Sequence, residues 1–296
     1  MPPERIAIRS AEVGDGLYVR RALPQRDRRM VGAWCFLDHL GPLDFEAGQG
    51  LRVGPHPHIG LQTFTWMIDG EVVHRDSLGN EQTIRPGQVN LMSAGRGISH
   101  AEDSIEGRSG RLHAVQLWIA LDDAHRHGAP AFRNHPELPV IERDGFQVTL
   151  LVGEAFDQRS PVEVFSPLVG MDIATGGAAQ TQFPLDSSFE YALLPLVGSV
   201  AVDGDAFTPE AMAYLGAGRD RIELRSEAAA RFVLIGGAPF GEDVLLWWNF
   251  VARAPEEIQA ATDDWNAGRR FGEVHGSPSR PLAAPDVSKL RLRQSR

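Results

Sequence analysis

One cysteine and one lysine in 296 residues set the first limits. Cys35 on its own excludes an internal disulfide and fits a reducing compartment. Its neighbours in GAWCFLDHL are apolar, so it reads as core packing and not as a reactive thiol. The single lysine, Lys289, lies in the tail, which leaves Schiff-base chemistry without a residue to carry it. No apolar run approaches the length of a membrane span. The opening MPPERIAIRS lacks the apolar stretch of a signal peptide, and the expectation is a cytoplasmic protein. Positive charge is also short: a net charge of -10 disfavours direct binding to a phosphate backbone, which Lys and Arg drive by neutralising phosphates. What is abundant is glycine (31) and proline (20), a balance that favours a turn-rich β protein over a helical one. The length suffices for two domains.

The chemistry-bearing residues concentrate between Gly50 and Glu102. His56-Pro57-His58 opens this stretch, and Ser99-His100-Ala101-Glu102 closes it. Three imidazoles and one carboxylate thus arrive as two pairs spaced i, i+2. On extended chain, side chains two apart project from one face, so each pair can aim at a common centre. Pro55 and Pro57 support extended geometry, because a residue before proline is pushed out of the helical region. Three nitrogens and one oxygen suit a first-row divalent metal and leave positions of an octahedron open. A lone His-x-His is more often incidental; two pairs separated by a strand, turn, strand stretch are not.

The runs GPHPHIGLQTFTWMIDGEVVHRDSLG and RPGQVNLMSAGRGISHAE resemble the pirin family, a bicupin group of the cupin superfamily. The first follows the cupin pattern Gly, five residues, His-x-His, three residues, acid, then Gly, at Gly50, His56, His58, Gln62 and Gly70. Gln62 departs from it, since many cupins place a glutamate ligand there. In pirins the carboxylate comes from the second motif, where Glu102 stands. The resemblance, which spans residues 1 to about 270, implies His56, His58, His100 and Glu102 as metal ligands. It implies Fe(II) as the leading ion, with Ni, Cu, Co or Mn also compatible with the ligand set.

If the alternation from His58 is unbroken, Gln62, Phe64, Trp66 and Ile68 share the histidine face and wall the site; a bulge would reverse this. Segments EVVHRDS and EQTIRPG read as a hairpin turned by Gly79-Asn80. His74, whose one i, i+2 partner is Asp76, reads as a structural or supporting residue and not as a ligand. In RLHAVQLWIAL, alternation puts Leu112, Ala114, Gln116 and Trp118 on one face. The pirin resemblance brings this strand close to the metal, with Gln116 the best candidate for a supporting contact or a pocket wall. Asp38 and His39 read as a hydrogen-bonded pair at a strand end. Residues 125–139 read as a linker, and His125 and His127, with no second pair to match, as no metal site.

The second half repeats the first in outline. Laying MIDGEVVHRDSLGNEQTIRPGQVNLMSAGR over PLVGSVAVDGDAFTPEAMAYLGAGR puts Gly70 on Gly198 and Gly95 on Gly218, as an internal duplication would. His56 and His58 then meet Pro184 and Asp186, while His100 and Glu102 meet Glu223 and Arg225, which removes the metal site. Pro255-Glu256-Glu257 followed by Ile258, Ala261, Thr262, Trp265 and Gly268 predicts a short helix. The last twenty or so residues read as a tail, loose or lying along the second domain. The expected fold is therefore all-β, two tandem cupin barrels with a short C-terminal helix. Its parts are 1–124 with the metal site, linker 125–139, a degenerate cupin 140–254, and helix and tail 255–296.

The resemblance implies two kinds of role. One is a quercetin 2,3-dioxygenase, opening a flavonol with O2, in which Glu102 also acts as the catalytic base. The other is a non-catalytic iron-binding, redox-sensitive regulator that binds a transcription factor or a metabolic enzyme. A cupin isomerase acting on sugars is a third reading, which the GRGISHAE run disfavours.

Overall fold

The structure is a computed structural model that describes residues 2–13 and 17–287. Among the described residues it is almost wholly β, with one helix, and it divides into two compact units. One comprises residues 11–19, 40–136 and 242–296; the other comprises 1–10, 20–39 and 137–241. This differs from the chain-ordered boundaries expected above. Residues 20–39 fold with the later cupin and residues 242–296 with the earlier one. Long-range contacts hold the later unit together: Glu4–Ala7 pairs antiparallel with Ala211–Gly216, and the Trp34 indole donates to the carbonyl of Gly236. Cys35 is buried in the same segment, as its apolar neighbours predict. Asp38 pairs with Arg21 at 2.6 Å, so the partner of its carboxylate is an arginine and not His39. Among the described residues no helix is long and apolar enough to cross a membrane.

In the first cupin unit eight strands matter: β1 (Arg52–His58), β2 (Leu61–Asp69), β3 (Val72–Asp76), β4 (Glu81–Ile84), β5 (Val89–Ser93), β6 (Ile98–Ser104), β7 (Gly110–Ala120) and β8 (Ala131–His135). One sheet runs β1-β6-β3-β4, and the other contains β8-β5-β2-β7 as neighbours. Met67, Leu112 and Ala114 from one sheet meet Val72 and Ile84 from the other in a shared apolar core. Strand β8 pairs with β5 from Ala131↔Ser93 to His135↔Val89, so the expected linker contains a sheet strand. Prolines and a glycine made it read as a connection, whereas its register with β5 is set by the sheet.

The turn from β1 to β2 depends on Gly60, whose φ is +67°. An added Cβ there would run into the carbonyl oxygen of Val251. Gly60→Ala is accordingly expected to destabilise the protein by about 2–3 kcal/mol through overpacking and a strained backbone, read as a lowered midpoint in urea unfolding. An unchanged midpoint would mean that the turn relaxes freely.

The helix spans Pro255–Asn266, with Pro at its first turn, Glu256 and Glu257 near its N-terminus, and Ile258, Ala261 and Thr262 buried, as the sequence predicts. Its apolar stripe joins Ile59, Trp247, Phe250, Phe271 and Val287 in a second core of the first unit. The tail corrects another expectation, because its described part, up to residue 287, packs on the first unit. Leu282 N–H donates to the Pro55 carbonyl at 2.8 Å, and the Ser277 and Ser279 hydroxyls donate to Asp103 on β6 at 3.3 Å each. Residues 288–296, with Lys289, lie outside the described residues.

The second unit repeats the plan with β9 (Phe146–Val152), β10 (Leu168–Thr175), β11 (Ala179–Pro184), β12 (Glu190–Val197), β13 (Val200–Val202), β14 (Asp205–Phe207), β15 (Ala211–Gly216), β16 (Arg221–Ser226) and β17 (Ala230–Gly237). One sheet contains β15-β12-β17-β10-β9 and the other runs β11-β16-β13-β14. Here the overlay needs a shift of one residue in facing. On β16 the buried positions are Ile222, Leu224 and Ser226, with Glu223 and Arg225 less buried; on β11 Thr181 and Phe183 are buried and Pro184 is exposed. A period of two turns a one-residue offset into the opposite face. Where the first barrel carries imidazoles, this one carries Phe183, Ile222 and Leu224 in its apolar core.

Candidate metal centre

Strands β1 and β6 lie antiparallel with His56 opposite His100 and Ile98 opposite His58. The three imidazoles converge: each offers a nitrogen within 4.8 Å of the others. Their ring centroids are 4.4 Å (His56 and His100), 5.0 Å (His56 and His58) and 5.0 Å (His58 and His100) apart. His56 Nδ1 lies 2.8 Å from the Gly54 carbonyl and His58 Nδ1 lies 3.0 Å from that of Asn249. A carbonyl only accepts, so in both rings Nδ1 carries the hydrogen and Nε2 keeps its lone pair.

Electrostatics act in the same direction. Burial lowers the His56 pKa to about 4, with the Gly54 hydrogen bond opposing it. Burial first, then the neighbouring imidazoles, holds His58 and His100 well below the usual histidine range. Neutral imidazole is the form that binds metal, so protons compete poorly here. Three buried, uncharged nitrogen donors facing one point fit a first-row divalent ion. His125 and His127 join no such group among the described residues; His125 pairs with Asp122.

Glu102 is placed differently. A bulge on β1 lets Val53 to His56 span the two β6 residues His100 and Glu102, so Glu102 sits opposite Val53. Its carboxylate groups with His74 and His100 within 4.8 Å, and His100 is shared with the three-imidazole cluster. Burial raises the Glu102 pKa, while His74 and the Thr65 hydroxyl pull it back. Thr65 Oγ1 lies 3.3 Å from Glu102 Oε1 and 2.8 Å from Gln116 Oε1. One hydroxyl hydrogen cannot serve both acceptors. Thr65 therefore donates to one of the two at a time, and its hydroxyl links Glu102 to Gln116.

Thr65 decides which face of β2 meets the site. The alternation from His58 is interrupted at Gly60, so Thr65 reaches Glu102, and Gln62, Phe64 and Trp66 belong to the other face. Gln62 donates instead to Ser93 at 2.8 Å. Gln116, opposite Thr65 in the sheet, is in contact with the site through it. Trp118, two residues on, packs edge-on against His58 at 5.1 Å. Neither Thr65 nor Trp118 was singled out as a site residue from the sequence; the positive-φ glycine at 60 was the available signal for the first.

His74 lies behind His100. Its Nδ1 is 3.3 Å from His100 Nδ1, its Nε2 is 3.1 Å from Asp76 Oδ2, and its ring stacks on Phe132 at 4.1 Å. Burial opposes ionisation of Asp76, but hydrogen bonds from His74 and Asn80 outweigh it and hold the carboxyl below its ordinary pKa.

Comparison with known proteins matches this architecture. The family model described as Pirin covers residues 16–119, and that described as Pirin C-terminal cupin domain covers residues 170–272. A Pseudomonas aeruginosa protein named "Putative quercetin 2,3-dioxygenase" is 52% identical over 96% of this chain and 90% of its own. A pirin-like protein of Caulobacter vibrioides is 38% identical over 85% of this chain and 88% of its own. The crystal structure of a quercetin 2,3-dioxygenase from Acinetobacter baumannii aligns with a TM-score of 0.95 at 48% identity, covering 98% of each chain. With both cupin models matched in order along one bicupin chain, the protein belongs to the pirin family.

Proposed function

We propose that the protein is a metal-dependent dioxygenase that opens the central ring of a flavonol such as quercetin with O2 and releases carbon monoxide. The observation that carries this reading is the convergence of three buried, neutral imidazoles, His56, His58 and His100. The 48% identity to the Acinetobacter quercetin 2,3-dioxygenase supports the substrate class. His56, His58 and His100 would hold the ion, Fe(II) foremost, with Glu102 as the fourth ligand. Bound there, the ion would supply a Lewis-acidic, redox-active centre that favours a deprotonated hydroxyl.

The chain's own residues do the rest. Glu102, half-buried and raised in pKa, is the base that accepts the flavonol 3-hydroxyl proton at a carboxylate oxygen. The Thr65 hydroxyl, within donating distance of both Glu102 and Gln116, holds that carboxylate in place. Trp118, against His58, limits water on that side.

The experiment is metal analysis of the purified protein, then flavonol consumption and CO release with and without air. Glu102→Gln is expected to lower kcat by about 100-fold or more, the scale of a lost general base, with a smaller loss of bound metal than the histidine variants show. Full turnover in that variant would remove Glu102 from the chemistry. Oxidation-dependent capture of a partner by a protein that binds iron but consumes no flavonol would favour the regulatory role instead.

A further inference from the structure

The polar chain behind His100 continues outward through two residues that the reading above does not use. Asp76 accepts from the backbone N–H groups of Leu78 and Asn80 and from the Asn80 amide, at 2.9–3.1 Å. A carboxylate facing so many donors holds no proton, so the nitrogen 3.1 Å from it, His74 Nε2, is the donor. In the Nε2–H tautomer that this contact selects, His74 Nδ1 carries a lone pair and faces His100 Nδ1 at 3.3 Å. Only His100 can place a hydrogen in that contact. Its Nε2 is therefore bare, and it lies 3.1 Å from His58 Nε2, which is bare because His58 Nδ1 donates to Asn249. Two imidazole lone pairs at that separation repel each other, and a cation bound by both removes the repulsion.

We propose that Asp76 and His74 are positioning residues that lock His100 in its Nδ1–H tautomer and so aim its Nε2 at the metal. Phe132 fixes the plane of the His74 ring by stacking on it at an interplanar angle of 9°. The role depends on His100 being a ligand, so tautomer and metal binding are read separately.

In 15N-labelled apoprotein, two-bond 1H–15N correlation reports the tautomer of each ring. The expected pattern is hydrogen on Nδ1 in His56, His58 and His100 and on Nε2 in His74. A proton on His74 Nδ1, or on both His74 nitrogens with His100 donating from Nε2 to His58, would overturn the proposal without need of any variant. Titration with Zn(II) follows. His74→Phe keeps the ring stacking but removes the acceptor, and is expected to bind Zn(II) about 10–100-fold more weakly. His74→Gln, whose amide can accept from His100 and donate to Asp76, should bind close to wild type and retain the His100 Nδ1–H resonance. Wild-type affinity in His74→Phe would sink the relay. Failure of the wild-type protein to bind Zn(II) would instead count against the metal centre itself, with the tautomer pattern still deciding the relay.

Discussion

Each of His56→Ala, His58→Ala and His100→Ala is expected to weaken binding of Fe(II) or Co(II) by at least ~100-fold, more than loss of a supporting contact costs. His125→Ala should bind as wild type. The contrast follows from position and not from residue type. The first three rings are buried, and two of them are fixed by carbonyls, so their lone pairs are already aimed and little ordering entropy opposes binding. His125 sits at a turn against Asp122 and belongs to no three-ligand group among the described residues. Isothermal titration of apoprotein under anaerobic conditions is the measurement. Equal loss in all four variants, or in none, would show that the ion binds elsewhere.

The apoprotein should also be acid-labile over a defined window. Well above pH 6.5 the three imidazoles are neutral in both the folded and unfolded states and contribute nothing to pH dependence. Below that, the unfolded chain takes up protons that the folded site refuses, so stability falls with pH. For His56, folded pKa about 4 against 6.5 unfolded, the loss by pH 4 is about 3 kcal/mol. His58 and His100 add to it in the same direction. Glu102 works oppositely, since a raised carboxyl pKa favours the folded state as pH falls. The clean readout is thus a difference: urea unfolding of apo wild type and of apo His56→Gln at pH 7.5 and pH 5. The variant should lose less stability across this interval. A wild-type curve no steeper than the variant's would mean that His56 is protonated freely in the folded state.

Much of this was legible in the sequence, and the exceptions share a cause. The i, i+2 spacing of His56 and His58, the prolines that kept them extended, and the matching spacing before Glu102 placed three imidazoles on two facing strands. The helix at Pro255 announced itself by local signals at both ends. What period-two counting could not see was any point where the period breaks. Gly60 reversed the expected face of β2, exchanging Gln62, Phe64 and Trp66 for Thr65. The bulge on β1 moved Glu102 opposite Val53 and beside His74. The overlay of the two halves is offset by one residue in facing, since Ile222 and Leu224, and not Glu223 and Arg225, are the buried positions of β16. The exchange of residues 20–39 and 242–296 between units is long-range pairing, for which local sequence carries no signal.

That exchange bears on how the protein is made. Residue 58 emerges from the ribosome early, but the carbonyl that orients its ring belongs to residue 249, some 190 positions downstream. A nascent chain halted at residue 124 would carry every proposed metal ligand and still lack the group that turns one of them toward the ion. The orientation of that ring is therefore complete only once residue 249 is in place, and a fragment cut at the apparent end of the first cupin motif would be a poor stand-in for the whole.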